Sequence, residues 1–315
     1  MKSLVKLIKI IFLVSLTIVI VVSLFFGYRD IPVNQLKEKY AAPPSNFITV
    51  DGMDVHYRDE GSKMDTLPLV LVHGTGSSLH TFDDWAATLK SEKRVVRMDL
   101  PGFGLTGPFL DRPYSIDNYI LFIEHFLNSK NIKRCILGGN SLGGFIAWQF
   151  AVKNPGKVEK LVLIDAAGYP LKSKSVPIAF TLARIPVLNN IMTFITPRFM
   201  VKASVENVYA DKTKVSEPLV DRYFELTLRE GNRQALVDRM RMGMDTSSVH
   251  LIKKIKQPTL VMWGEEDLLI PINSAYRFHQ DLPNDTLVIL KNMGHVPMEE
   301  NPAESLVALM SFLNK

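Results

Sequence analysis

From residue 46 onward, short apolar runs alternate with longer amphipathic ones. Phe47–Val50 and Met53–Arg58, parted by Asp51 and Gly52, predict a hairpin. Leu67–Val72, Arg94–Met98, Arg134–Gly138, Lys160–Ile164, Thr259–Trp263 and Thr286–Leu290 are short apolar runs of the kind that buried parallel strands require. Between and after them, Leu79–Lys90, Ile116–Lys130, Leu142–Val152 and Asn301–Leu313 carry helical spacing. Ser115 is placed to cap the second of these, and Pro302 stands in the first turn of the last. Repeated strand–helix units predict an α/β fold, a doubly wound and mostly parallel eight-stranded sheet with helices on both faces. From about residue 168 to residue 251 the rhythm breaks. This interval has helix-like stretches (Ile178–Ile185, Pro218–Glu230, Arg233–Met242) and no strand signal, so a helical lid is expected after the sixth strand, over the edge where open α/β sheets bind ligands. Residues 46–167 and 252–315 then form the core.

The first 45 residues read differently. Ile10–Phe26 is a run of 17 uncharged residues with neither Pro nor Gly, and Lys2, Lys6 and Lys9 precede it. As a helix it spans roughly 26 Å. No small-residue cleavage site follows, so residues 1–30 are expected to be an uncleaved transmembrane signal anchor, with the N-terminus cytoplasmic and the catalytic domain outside the cytoplasm. Residues 31–45, with Pro32, Pro43 and Pro44 among charges, are expected to be a tether. The net charge of +5 is concentrated in residues 1–30, where four cations face one acid. The remainder lacks a basic stripe interleaved with aromatics, which argues against a nucleic-acid partner. A single cysteine, Cys135, excludes an internal disulfide and reads as a small buried core residue.

Candidate chemistry centres on Gly139-Asn140-Ser141-Leu142-Gly143, where an apolar strand must turn sharply into an apolar helix. A serine at such a turn is lifted out of both elements, while the glycines let neighbouring backbone approach closely. A serine hydroxyl needs a base to take its proton, and the base needs a partner to fix its tautomer. Of seven histidines, His295 is the best candidate, in the fixed loop Gly294-His295-Val296-Pro297 after the last strand. His56 falls in an early strand, and His80, His125, His250 and His279 fall in helical or lid stretches. Asp267, after the penultimate strand, is the expected acid, and Asp165, at the end of the strand following the elbow helix, is the alternative. An oxyanion needs two convergent N–H donors. Leu142 supplies one at the helix start, and Thr75, in the loop His73-Gly74-Thr75-Gly76, is expected to supply the other. In these loops His73 is expected to hold backbone in place, and Asp99 to tie down a turn.

These blocks, with Asp99-Leu100-Pro101-Gly102-Phe103-Gly104 and Trp263-Gly264-Glu265-Glu266-Asp267, resemble the α/β-hydrolase superfamily over about residues 46–313. The resemblance is to a branch of esterases and lipases, carbon–carbon bond hydrolases and cofactor-free haloperoxidases. Haloalkane dehalogenases and epoxide hydrolases look similar but carry an aspartate where this chain has Ser141. The resemblance implies a serine hydrolase of carboxylic esters, acting on a small-molecule or lipid ester without metal or organic cofactor. Carbon–carbon bond cleavage or haloperoxidase chemistry is the alternative. A non-catalytic binding protein on the same fold would be expected to lack a triad member, and none is missing here. The pattern leaves acyl and alcohol specificity and the oligomeric state open.

Overall fold

In the computed structural model, which describes residues 2–170, 172–186 and 188–315, eight strands form one sheet in the order β1-β2-β4-β3-β5-β6-β7-β8. Their ranges are β1 Ser45–Val50, β2 Met53–Glu60, β3 Leu69–Val72, β4 Val95–Met98, β5 Cys135–Asn140, β6 Val158–Ile164, β7 Thr259–Gly264 and β8 Asp285–Leu290. β1 and β2 pair antiparallel, as does β2 with β4, and every later pairing is parallel. The mostly parallel, doubly wound sheet is the one the run pattern predicts. Helices α1 Lys2–Phe26, α2 Val33–Tyr40, α3 Asp83–Leu89, α4 Ile116–Ser129 and α5 Leu142–Lys153 precede β6. Helices α6 Ile178–Arg184, α7 Leu188–Met192, α8 Arg198–Glu206, α9 Glu217–Thr227 and α10 Asn232–Arg241 lie between β6 and β7. α11 Asn273–Asp281, α12 Pro297–Glu300 and α13 Pro302–Leu313 close the chain.

Alternation within the central strands builds two cores. Val70, Val72, Leu137, Leu161 and Leu163 pack on one face, with α4 and α5. Leu69, Leu71, Ile136, Val162 and Ile164 pack on the other, with α3 and α13. Because both faces are covered, these strands read as continuous apolar runs. The strand order reverses at β3, which lies between β4 and β5. The loops leaving the C-terminal ends of β3 and β5 therefore diverge around a crevice, the place where open α/β sheets hold ligands.

Two N-terminal expectations need correction. Among the described residues no helix is long and apolar enough to cross a membrane. The transmembrane signal anchor, the membrane as a partner and the extracytoplasmic placing of the domain are therefore withdrawn. The run Ile10–Phe26 belongs to α1, which starts at Lys2 and so includes three lysines. Its 17 uncharged residues fall short of the ~20 that a hydrocarbon core demands. Met1 of that expectation, and Leu171 and Val187 of the expected lid, lie outside the described residues. The second correction concerns residues 31–45, which are more than a tether. They contain α2, whose Leu36 is buried with Leu105 and Leu226. The segment before α2 is clipped to the β6–β7 insertion: the Ile31 amide donates to the Leu228 carbonyl at 2.7 Å, and Asp30 pairs with Arg233 at 2.6 Å.

Candidate active site

Ser141 sits between β5 and α5 with φ 56° and ψ −115°, a conformation that an L-residue holds only when its surroundings enforce it. The surroundings are glycines. A Cβ on Gly143 would overlap the Val72 carbonyl, and one on Gly139 would overlap the Gly143 carbonyl. Hydrogen bonds then fix the elbow: the Ser141 amide donates to the Ile164 carbonyl at 3.0 Å, and its carbonyl accepts from Phe145 and Ala167.

His295 lies in the loop between β8 and α12, buried. Its Nδ1 is 2.7 Å from Asp267 Oδ2, while Asp267 Oδ1 accepts the Leu269 and Ile270 amides at 2.8 and 2.9 Å. With Nδ1 donating to the carboxylate, Nε2 is left as the proton acceptor. The loops of Asp267 and His295 touch where Gly264 faces Gly294, since a Cβ on Gly264 would overlap the Gly294 carbonyl. Ser141 and His295 line one cleft of about 940 Å³. Thr75 and Leu142 flank the serine, and among the described residues neither of their amides donates a hydrogen bond. Two unspent N–H groups beside the half-buried Ser141 can receive a developing oxyanion. Helices α6 to α10 roof the cleft with Phe180, Met192, Met200, Val205 and Leu236 among others.

The other sequence candidates lie elsewhere or do other work. Asp165 does not meet the imidazole. Its Oδ1 accepts the Gly264 amide at 2.9 Å, and its Oδ2 is buried with no partner among the described residues. Burial, together with the Asp267 charge beside it, pushes the Asp165 carboxyl well above the ordinary carboxylate range. Asp165, Asp267 and His295 bring one ligand atom each within 4.8 Å of one another. Both Asp267 oxygens and His295 Nδ1 are already engaged in hydrogen bonds. His73 Nδ1 donates to the Gly74 carbonyl at 2.8 Å while Nε2 accepts the Leu100 amide at 2.9 Å, and burial lowers its pKa, so it serves as neutral scaffolding. Asp99 accepts from Leu79, Leu105 and His56; although burial pulls its carboxyl upward, the contact with His56 holds it well below the usual range. His56 is thereby committed to structure. His125 pairs with Asp51 and His279 with Asp285, both away from the cleft.

Two residues that sequence reasoning passed over tie the site together. Asn140 Nδ2 donates to the His295 carbonyl at 2.9 Å and to the Ile164 carbonyl at 3.2 Å, stapling the elbow to the histidine loop. Buried Glu300 accepts the Gly294 amide at 2.7 Å and the Asp211 and Ala210 amides at 2.7 and 3.2 Å. The His295 amide donates to the Val208 carbonyl at 2.8 Å, so the histidine loop and the helical insertion share one backbone network. Asn140 stood beside the serine in plain view. Glu300 carried no signal, because its partners are backbone groups distant in sequence.

Such an elbow and braced imidazole, at the switch point of a sheet with this strand order, are the architecture of an α/β-type hydrolase. Comparison with known proteins agrees: the chain belongs to the alpha/beta hydrolase family, whose model matches residues 69–309. Over 265 residues it is 30% identical to the uncharacterized hydrolase YugF of Bacillus subtilis (strain 168), covering 83% of this chain and 95% of that one. It is 27% identical over 290 residues to the 2-hydroxy-6-oxo-6-(2'-aminophenyl)hexa-2,4-dienoic acid hydrolase of Metapseudomonas resinovorans, covering 89% and 95%. Among solved structures, a membrane phospholipase A described as a bacterial virulence factor superposes with a TM-score of 0.73 at 24% identity, covering 100% of this chain and 98% of that one.

Proposed function

We propose that this hydrolase cleaves carboxylic esters through an acyl-enzyme on Ser141. His295 Nε2 takes the serine proton as the hydroxyl attacks the ester carbonyl, then gives it to the leaving alcohol. Asp267 holds the ring and balances its transient charge. The Thr75 and Leu142 amides receive the oxyanion, each worth about 3 kcal/mol of barrier. Water activated by His295 then releases the acid. The observation carrying this reading is the Asp267–His295 bond at 2.7 Å, in a cleft that Ser141 also lines. The apolar roof over that cleft favours an acyl chain or aromatic ester.

The second reading is carbon–carbon bond hydrolysis. It is favoured by relatives named as dienoic acid hydrolases, 27% and 25% identical to this chain. Purified enzyme labelled by a fluorophosphonate probe and assayed on p-nitrophenyl esters tests the first reading. Ser141→Ala should abolish both labelling and turnover. Retained hydrolysis in that variant refutes the mechanism, and turnover of a dienone acid with no turnover of esters selects the second reading.

A further inference from the structure

The cleft at Ser141 has two arms. His295, which must reach the departing oxygen, lines the larger one together with Val296 and the α8 residues Ser204 and Val205. A second arm of about 530 Å³ starts from Thr75, Ser141 and Leu142 and does not include His295. Thr75 and Ser141 line both arms, whereas His295 lines only the larger and Leu142, at the start of α5, lines only the second, so the leaving group belongs on the side of His295 and the acyl half in the second arm. Its walls include Phe180, Met240, Leu269 and Ile270, but Arg184 and Arg239 line it too.

Arg239 is the anomaly. It is only 4% exposed, and among the described residues its one hydrogen bond runs from Nη1 to the Gly243 carbonyl at 2.7 Å. Among the described residues its Nε is buried without a partner, and no carboxylate pairs with it. The other two buried arginines each meet an acid, Arg97 with Glu60 and Asp83, and Arg233 with Asp30. Burying an unpaired guanidinium is strongly unfavourable unless something else supplies the counter-charge. Burial lowers its pKa; the nearby Tyr119 hydroxyl works against this, while the neighbouring Arg184 charge, itself without an acidic partner among the described residues, adds to it.

We propose that this arm is a subsite for an acidic acyl group, in which Arg239 and Arg184 receive a terminal oxyanion, a carboxylate in the simplest case, at the end of the acyl chain. The apolar walls take the methylenes, and the unpaired guanidinium takes the charge in a bidentate or charge-assisted contact. The inference rests on the ester reading and names its substrate class as half-esters of dicarboxylic acids.

The test is a matched panel: p-nitrophenyl monoesters of glutaric, adipic and suberic acid against the p-nitrophenyl esters of pentanoic, hexanoic and octanoic acid. The readout is the ratio of kcat/KM, acidic over neutral. The wild type is expected to favour the acidic member at its best chain length. Arg239→Gln should cut the ratio about ten- to a hundredfold, the range of a charge-assisted hydrogen bond. Arg239→Lys should retain part of it, and Arg184→Ala, at an exposed helix end where folding is not at risk, should lower it several-fold. Arg241→Gln, on the same helix but paired with Asp238, should leave it unchanged. A ratio equal in wild type and Arg239→Gln, or a wild type preferring the neutral ester at every length, overturns the subsite. If neither series is hydrolysed, the ester reading itself fails. Calorimetric binding of free adipate and of inorganic phosphate to wild type and Arg239→Gln then decides the subsite alone. Loss of adipate binding in the variant supports it and equal binding refutes it, while phosphate binding as tightly as adipate widens the class to oxyanions in general.

Discussion

Asp165 offers a sharp test, because its geometry fixes both the state of a proton and the sign of a pH effect. Its Oδ1 is spent on the Gly264 amide and its Oδ2 meets no donor, with Asp267 alongside, so the folded carboxyl keeps its proton. An unfolded carboxyl ionises near pH 4. Between that pH and the higher folded value, the native state holds a proton that the unfolded state has released, so this group lowers stability as pH rises, by about 1.4 kcal/mol per unit. Asparagine has the same shape, donates where the protonated oxygen does, and tolerates the left-handed φ of 44° at this position. It does not titrate. Asp165→Asn should therefore gain on the wild type as pH rises above about 4, by up to about 1.4 kcal/mol for each pH unit until the folded carboxyl ionises. Its kcat/KM should stay within about threefold of the wild type, since Asp267 still holds the imidazole. Thermal melts of both proteins across pH 4–8, with ester kinetics at pH 7, check both halves. A stability difference flat in pH refutes the protonated state. A fall in kcat near ten-thousandfold, the size expected when the orienting acid of a triad is replaced by its amide, transfers that role to Asp165.

Three more outcomes follow from contacts around the same site. Asn140→Ala removes the donor to the His295 and Ile164 carbonyls, and should lower kcat about tenfold with KM nearly constant; a change confined to KM would place Asn140 in substrate binding instead. Glu300→Gln turns one acceptor of three backbone amides into a donor. Hydrogen exchange at residues 208–211 and 294–295 should speed up together, and unchanged exchange in either stretch would dissolve the proposed link between them. Gly143→Ala drives a methyl into the Val72 carbonyl and should destabilise the fold by about 3 kcal/mol or more, read by chemical denaturation; a variant of normal stability would mean that the elbow can relax.

What the sequence disclosed about this fold is what is encoded locally. Leu69–Val72 and Leu161–Ile164 read as strands because both faces of the sheet are covered, so no polar alternation interrupts them. The elbow at Ser141 was visible because glycines mark places where backbone meets backbone. Gly143 against Val72, and Gly264 against Gly294, are the contacts that draw the loops together. Residues 1–45 misled because counting uncharged residues ignores where a helix starts and what it packs on. α1 takes in its lysines, and α2 exists because Leu36 finds Leu105 and Leu226, far along the chain.

The charged side of the site was illegible for a related reason. Asp165 and Asp267 are the same residue type at the ends of neighbouring strands, and only the folded surroundings separate them. One receives two amides and an imidazole, while the other receives a single amide and faces its neighbour's charge. Arg239 reads as an ordinary helix cation until the insertion folds over the cleft and leaves it without an acid among the described residues. Apolar pattern and glycine spacing specify where backbone goes, and a carboxylate or guanidinium acquires its chemistry only from what that backbone brings within a few ångströms. The unpaired charge of Arg239 beside the cleft is accordingly a feature that needed the assembled fold to be read.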